Sequence, residues 1–315
     1  MNDTEILAKL YREIYGTDKG KEIKSLFEAD IKKVRSLNNV ITVYKKYEIY
    51  LIYGRNFGTM KNLFGDFRKI INKIDNKHKE LLLDVFSLPK GFHYLVSEKY
   101  SKVIEDRKES DDKVISLNEY KNLIDETYKN GMDKTLSFWK KGIGSRQTKE
   151  GIRAYFLASY LALTTGRRLT EILKTMVLTK YKNNIKVKGL LKYDEDKSFD
   201  LFVLDEPNNV MSAYHELRKI LNTVNLTNKE CNSKFNSIFN KFLKENILEG
   251  VTFHDLRSMY AEIAWELFDK SELSEDDNIE QIKDEFMNNV LLHAEMKKQV
   301  RSIDFYKNRF KIEKR

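Results

Sequence analysis

The stretch that most constrains this chain covers residues 161–173 and reads LALTTGRRLTEIL. Its apolar beginning predicts a buried helix that stops at Gly166 and then restarts, because glycine readily ends a helix. The stop places Arg168 at an element boundary, where its side chain can reach out of the core. A guanidinium is always charged and presents a rigid fork of donors that suits phosphate oxygens. Glu171 follows Arg168 by three positions and is expected to orient it.

Two later segments add side chains that suit the same kind of anion. Residues 251–267 read VTFHDLRSMYAEIAWEL and place His254 and Arg257 at i and i+3, on one side of the beginning of a helix. Nearer the carboxyl end, His293 is followed by Tyr306. These short motifs, called boxes below, therefore come in the order arginine, histidine-x-x-arginine, histidine and tyrosine.

The composition indicates which class of partner the chain binds and in which compartment it works. The chain has 315 residues, enough for two domains, and its net charge of +9 favours a polyanion, with nucleic acid first and an acidic membrane surface second. The single cysteine, Cys231, excludes an internal disulfide and a cysteine-based zinc site, and it suits a reducing cytoplasm. The sequence has neither a stretch of about 18 apolar residues nor a signal-peptide pattern, so we expect a protein that is neither membrane-spanning nor exported.

A domain boundary is predicted at about residue 112. Residues 1–111 show helical patterns and, because of the cations described below, are interpreted as a DNA-clamping domain. Residues 112–315 are expected to form the domain that carries the boxes. The charged run 105–113 is typical of a linker. Ser116 and Glu119 then have the spacing of a capping box, which predicts the beginning of a new helix.

Basic and aromatic side chains alternate in residues 43–70 of the first domain. Basic side chains neutralise phosphates, and aromatic rings either stack on bases or fill a core. We interpret most of the rings as core residues and the cations as a DNA-facing surface. The cations predicted to contact DNA are Lys45, Lys46, Arg55, Lys61, Arg68 and Lys69.

The second domain is predicted to be mainly α-helical, with one small antiparallel sheet. Lys192 lies between the second and third strands of that sheet, so a hairpin turn can aim it at a site. The predicted helices cover residues 116–139, 149–163, 210–221, 228–244 and 251–267, and the predicted strands cover residues 176–178, 185–187 and 199–204.

Acidic side chains are concentrated in residues 274–292. A calcium loop needs ligands at EF-hand spacing, and that spacing is missing from this run. Ser274 instead has the character of a helix N-cap, and acids in a first turn suit the helix dipole. The run therefore indicates a solvated helix face, and neither a metal nor another cofactor is expected.

The second half of the chain resembles the catalytic domain of the tyrosine recombinase and integrase superfamily. The matching motifs are TTGRRLTEIL, GLLK with Lys192, HDLR, and LLH before the tyrosine. A narrower resemblance is to the telomere resolvases, or protelomerases. It rests on HDLRSMYAEIAWELF, on FYKNRFKI and on FSLPKGFHYLVSEKYSKVIEDRK. The chain departs from the pattern in two places, since His293 and Tyr306 are 13 positions apart, a longer interval than usual, and Leu292 replaces a glycine.

The resemblance implies a role for each residue of the boxes. The box spacing assigns the catalytic arginine to Arg168 rather than Arg167. Tyr306 would attack the scissile phosphorus and form a 3′-phosphotyrosine link, while Lys192 would protonate the leaving 5′ oxygen. The groups expected to stabilise the pentacoordinate transition state are Arg168, Arg257, His254 and His293.

The leading hypothesis is an enzyme that cuts both strands of a palindromic DNA site as a homodimer and joins each strand to its complement as a hairpin. A site-specific integrase that exchanges strands between two duplexes would use the same chemistry. An inert DNA-binding protein on this scaffold is a third possibility. A metal-dependent nuclease is a fourth, and it lacks a convincing carboxylate cluster in the sequence.

Overall fold

The computed structural model describes residues 20–52, 57–88, 92, 114–135, 148–271, 278–292 and 310–313. The chain divides into two compact units, Met1–Val103 and Ile104–Arg315. The predicted boundary at residue 112 lies outside the described residues and stays a prediction. Within the described ranges, no helix is long and apolar enough to cross a membrane.

The described part of the first unit consists of helices, as its sequence pattern predicts. Aromatic rings form its core, where Phe27 lies 4.2 Å from Phe67 and 5.0 Å from Phe86 between ring centroids. Tyr47 packs edge-on against Phe27 at 5.1 Å. These rings are buried, so they stabilise the fold rather than face nucleic acid. The helices are α1 (Gly20–Lys32), α2 (Leu37–Ile52), α3 (Phe57–Asn72) and α4 (Lys79–Val85).

The described part of the second unit is mainly helical, with a three-stranded antiparallel sheet, and this confirms the predicted fold class. Its elements in chain order are β1 (Val114–Ser116), α5 (Leu117–Met132), α6 (Lys149–Thr165), a π-helical turn (Glu171–Thr175), β2 (Val177–Tyr181), β3 (Asn184–Lys188), β4 (Phe199–Leu201), α7 (Pro207–Ile220), α8 (Asn228–Asn246), α9 (Phe253–Glu266), α10 (Ile279–Val290) and β5 (Lys311–Glu313).

Helix α6 is the centre of the second unit. Every side chain from Ile152 to Thr165 is buried, which is the pattern of a helix covered on all sides. Helices α5, α7 and α9 pack against it. The carboxyl end of α6 therefore lies inside the protein, and the residues that follow it begin from a rigid position.

The sheet has the strand order β2-β3-β4, with both pairs antiparallel. Val177 pairs with Lys188, and Ile185 pairs with Leu201. Buried Leu178, Ile185 and Val187 alternate with more exposed positions, as the period of two predicts for a half-covered sheet.

The parallel pair of β1 and β5 is not predicted by the sequence. Ile115 pairs with Ile312, and the preceding Phe310 is buried in the same core as α6. Strands of three residues carry almost no periodicity, and their partners here are nearly 200 positions apart in the chain. The pairing fixes the chain shortly after Tyr306 to the second unit.

Two predicted helix ends differ from the structure. The capping box of Ser116 and Glu119 is confirmed, but α5 ends at Met132 rather than near residue 139. Asp133 is extended there, and its carboxylate accepts the Thr135 N–H at 2.8 Å, so a local turn replaces the helix.

The beginning of α10 also differs from the prediction. Its N-cap is Asn278, whose side chain accepts the Gln281 N–H at 3.2 Å. The predicted cap Ser274 lies in 272–277, outside the described residues. An asparagine caps a helix as well as a serine does, which is why the pattern alone misplaced the start.

Candidate functional site

Helix α6 ends at Gly166, as the sequence predicts. Gly166 has a φ of 63°, in the left-handed region, and its N–H donates to the Ala162 carbonyl at 3.0 Å. A side chain at this position would overlap the buried ring of Tyr260. The chain therefore turns sharply here, and Arg167 and Arg168 follow the turn outside the helix.

Arg168 is oriented by Glu171. Its Nη1 donates to Glu171 Oε1 at 2.8 Å, and its backbone N–H donates to Oε2 at 2.9 Å. The Glu171 side chain is completely buried, whereas 24% of the Arg168 side chain is exposed. The carboxylate thus holds the guanidinium from inside and leaves part of it accessible to an anion from solvent.

The positive charges of three guanidinium groups stabilise the ionised form of the Glu171 carboxylate. Burial opposes its ionisation, but the charges of Arg168, Arg167 and Arg257 lower the pKa of Glu171 below its usual value. Three positive charges against one negative charge leave the cluster cationic. Such a cluster attracts an anion, and it contains the two arginines that the sequence assigned to the site.

The turn that carries Lys192 is bonded to the same carboxylate. The Leu191 N–H donates to Glu171 Oε1 at 3.3 Å. Lys192 is exposed and lies between β3 and β4, where the sequence places it. Gly189 begins this turn with a φ of 71°. The structure therefore brings the arginine box and the lysine turn together through Glu171.

The variant Gly189→Ala is expected to destabilise the protein and displace the Lys192 turn. A β-carbon at this position would overlap the Thr175 carbonyl oxygen, and the positive φ is strained for any side chain. We expect the free energy of unfolding to fall by about 2–4 kcal/mol in urea denaturation. Gly250→Ala is the matched control, because it has a φ of 68° but no atom within 4 Å of the added carbon. Equal losses in the two variants would contradict this account of Gly189.

His254 and Arg257 lie on the first turns of α9, which Thr252 begins. The Thr252 hydroxyl accepts the Asp255 N–H at 3.3 Å, and the Asp255 carboxylate accepts the Thr252 N–H at 2.8 Å. His254 is exposed at this amino end, where the helix dipole favours an anion. The capping box thus explains why the histidine is presented at the surface.

Arg257 is buried, with 1% of the residue exposed. Its Nη1 donates to the Gly166 carbonyl, and its Nη2 donates to the Leu291 carbonyl at 2.6 Å. The contact with Gly166 joins α9 to the arginine box. In this conformation two of its donors bind main-chain oxygens, so to hold a phosphate Arg257 must use another donor or exchange a partner. Its role as a phosphate ligand stays a prediction.

The remaining two catalytic candidates, His293 and Tyr306, lie outside the described residues. The structure does describe the residues that flank them. Leu292 has a φ of 47°, a conformation that favours glycine. It replaces the glycine that precedes the last histidine in the family that the chain resembles. Phe310 is buried four positions after Tyr306. Both ends of the segment that carries the two candidates are therefore attached to the second unit.

The cations predicted to contact DNA in the first unit have different surroundings. Lys46 pairs with Asp30 at 2.6 Å, and Arg68 donates to the Leu83 carbonyl. Lys69 is 3.6 Å from Asp66, while Lys45 and Lys61 are exposed. Arg55 lies outside the described residues. The assignment of all six to DNA stays a prediction.

Arg218 on α7 has a structural role that the sequence does not indicate. Its Nη1 donates to the Leu173 carbonyl at 2.5 Å and its Nη2 to the Met176 carbonyl at 2.8 Å. Leu173 lies in the middle of the π-helical turn that begins with Glu171, and Met176 directly follows that turn. A basic residue in a last helical turn is too common to single out, so the local sequence gives no usable signal.

Residues 148–303 match the family model described as the telomere resolvase ResT/TelK catalytic domain. The matched residues thus include the arginine box, the lysine turn, the HDLR segment and His293. No curated protein is significantly similar to the chain in sequence.

The fold is similar to that of solved protelomerases. A TelA variant covalently complexed with substrate DNA superposes with a TM-score of 0.66 at 16% identity, over 98% of this chain and 95% of that chain. A second TelA variant, complexed with a DNA hairpin product, gives the same TM-score and identity over 98% and 94%. Protelomerase TelK complexed with substrate DNA gives 0.55 at 18% identity, over 99% of this chain but 59% of that chain. At these identities the likeness establishes the fold.

Proposed function

We propose that the chain is a telomere resolvase, because its residues 148–303 match the catalytic-domain model of that family, and that it resolves replicated DNA telomeres into covalently closed hairpin ends. The enzyme breaks DNA strands and rejoins them, so the phosphodiester energy is kept in a covalent link to the protein. The observation that carries the proposal is the arrangement around Glu171, where the arginine box, the lysine turn and Arg257 meet.

The chemistry begins with attack of the Tyr306 phenolic oxygen on the scissile phosphorus. A bond forms between this oxygen and the 3′ phosphate, the bond to the 5′ oxygen breaks, and Lys192 donates the proton that the leaving oxygen needs. The phenol loses its proton to a general base. In the second step the 5′ hydroxyl of the complementary strand attacks the phosphotyrosine, which closes the hairpin and frees the tyrosine.

Negative charge accumulates on the non-bridging oxygens during both steps. Arg168 is the partly exposed guanidinium and would donate to these oxygens, while Glu171 keeps it oriented. Exposed His254 at the amino end of α9 would add a further donor together with the helix dipole. Arg257 and His293 would complete the set.

The burial of Phe310 supports delivery of Tyr306 to this site. Phe310 packs into the same core as α6, and β5 pairs with β1 directly after it. Four residues span at most about 14 Å when fully extended, so the tyrosine is attached to the unit that holds the arginines by a short segment.

We propose that the substrate is a palindromic duplex and that two copies of the chain bind it, one on each half-site. The family catalyses a symmetric double cleavage, which a twofold dimer matches. The net charge of +9 supports a DNA partner. With one buried cysteine, the chain is suited to the cytoplasm, where it would act on the nucleoid or on a phage or plasmid replicon.

The deciding experiment uses a linear duplex that contains the palindromic junction of the host replicon. We expect products that snap back to double strands immediately after denaturation, because the two strands of each end are covalently joined. The assay is read on denaturing and native gels, and excess EDTA is expected to leave the yield unchanged.

Recombinant duplexes in the same assay would instead identify a site-specific integrase. Loss of activity with EDTA would favour a metal-dependent nuclease, and binding without any product would identify an inert DNA-binding protein. Each outcome other than hairpins contradicts the proposed function.

A further inference from the structure

Arg167 is buried in the second unit and makes a bridge between two helix ends. Its Nε donates to the Thr165 carbonyl at 3.0 Å, and its Nη2 donates to the Val290 carbonyl at 2.7 Å. Thr165 is the last residue of α6, and Val290 is the last residue of α10. One guanidinium thus ties the ends of two helices together, and Arg167 and Val290 are 123 positions apart in the sequence.

Arg257 makes a second bridge between the same two ends. It donates to the Gly166 carbonyl, directly after α6, and to the Leu291 carbonyl, directly after α10. The last carbonyls of a helix lack partners inside the helix and carry the negative end of its dipole. Two cations are therefore well placed to hold two helix carboxyl ends side by side.

The two adjacent arginines of the box have different surroundings. Arg168 is partly exposed, whereas only 1% of Arg167 is exposed. Within the described part of the chain, Arg167 Nη1 is buried without a hydrogen-bond partner. Burial lowers the pKa of Arg167, and Glu171 opposes this shift. Arg167 therefore uses two of its donors on main-chain carbonyls and is almost inaccessible to solvent.

The bridge ends beside the segment that carries a proposed catalytic residue. Val290 and Leu291 are buried, and Leu292 turns the chain with its positive φ directly before His293. Holding these carbonyls fixes the position and direction in which the chain leaves α10. A displacement of about 1 Å in a catalytic group is enough to reduce the rate by about 100-fold.

Resting on the proposed function, we propose that Arg167 is a positioning residue for the reaction: it clamps the carboxyl end of α10 against the arginine box. It thereby fixes the path of the chain at Leu291 and Leu292, directly before His293, and the Leu291 carbonyl that Arg257 binds. It does not touch the DNA. The neighbouring Arg168 faces the phosphate, and Arg167 holds the frame in which the other groups meet.

The test compares Arg167→Met and Arg167→Lys with the wild-type protein. Methionine keeps most of the volume but cannot donate, and lysine keeps the charge but lacks the fork that reaches two carbonyls. We expect amide hydrogen exchange at Leu291 and Leu292 to become at least about 10-fold faster in both variants. At saturating DNA, formation of the covalent complex is expected to slow by about 100-fold, while the Kd for DNA changes by less than about 3-fold.

The matched control is Arg153→Met. Arg153 is also buried, and it donates to the Gly131 carbonyl at 3.0 Å and to Glu216 at 2.7 Å, and neither of these partners belongs to α10. We expect this variant to lose stability. The amide exchange rates at Leu291 and Leu292 and the rate of covalent complex formation at saturating DNA should stay at the wild-type values. This separates a positioning effect from a general loss of stability.

Several outcomes would overturn the proposal. Wild-type rates of covalent complex formation in folded Arg167→Met, or unchanged exchange at Leu291 and Leu292, would remove the positioning role. If neither Arg167 variant folds, the bridge is required for the fold itself, and the role is structural. If the wild-type protein forms no covalent complex, the proposed function fails, while the exchange measurement still decides whether Arg167 holds α10.

Discussion

Replacing Tyr306 by phenylalanine is expected to abolish the covalent complex between protein and DNA. The change removes only the phenolic oxygen that becomes bonded to phosphorus, so no substitute nucleophile remains at this position. We expect the yield of the covalent complex on a nicked suicide substrate, read on a denaturing gel, to fall by at least about 10⁴-fold. The affinity for DNA is expected to stay nearly unchanged. The comparison needs saturating protein, so that binding and chemistry are separated.

The control for this variant is Tyr181→Phe. Tyr181 is 57% exposed and is the last residue of β2, at the opposite end of the strand from the π-helical turn that contains Glu171. It is expected to form the complex at the wild-type rate. A full yield from Tyr306→Phe would transfer the nucleophile to another residue, and peptide mapping of the trapped complex would identify it.

The second large effect is expected from Glu171→Gln. Glutamine has nearly the same shape but removes the one negative charge on which Arg168, Arg167 and Arg257 act. Breaking a buried ion pair by removing one partner costs about 3–5 kcal/mol. In this variant the buried guanidinium groups of Arg167 and Arg257 lose the negative charge of Glu171, while Arg168 stays partly exposed. We expect a loss of this order in the free energy of unfolding at pH 7, measured by urea denaturation.

Glu216→Gln is the matched control for charge removal. Glu216 pairs with Arg153 at 2.7 Å, and the pKa of its carboxyl is lowered mainly by that hydrogen bond. Glu216 is also more exposed than Glu171, so the loss is expected to be smaller. A loss for Glu216→Gln equal to that for Glu171→Gln would show that the arginine cluster does not depend specifically on Glu171.

The pH dependence of the Glu171 contribution follows from the direction of its pKa shift. The folded-state pKa is lowered, so the stability it adds is present above the unfolded value of about 4.3 and is lost as the pH falls through the folded-state pKa. The difference between wild type and Glu171→Gln should therefore be largest at neutral pH and shrink on acidification. A constant difference down to pH 3 would contradict the assigned shift.

Local sequence was sufficient for several parts of the fold and of the site. The stop of α6 at Gly166, the capping box at Ser116 and the place of Lys192 between two strands are each determined within a few residues. Glycine conformations, side-chain caps and strand alternation have strong local energies, so their patterns are visible in one sequence. The end of α5 and the start of α10 were placed less well, because neighbouring residues compete for the same turn or cap.

By itself, the sequence determined which chemical groups the protein has and in what order: arginines, a lysine turn, histidines and a tyrosine, on mainly helical elements. Only the tertiary structure decided that Arg167 turns inward to Val290 while Arg168 stays accessible, and that both helix ends meet at two guanidinium groups. The reason is physical. The contact between Arg167 and Val290 depends on how whole helices pack. The box spacing assigned the catalytic role to Arg168, but it gave no indication of what the side chain of Arg167 would bind.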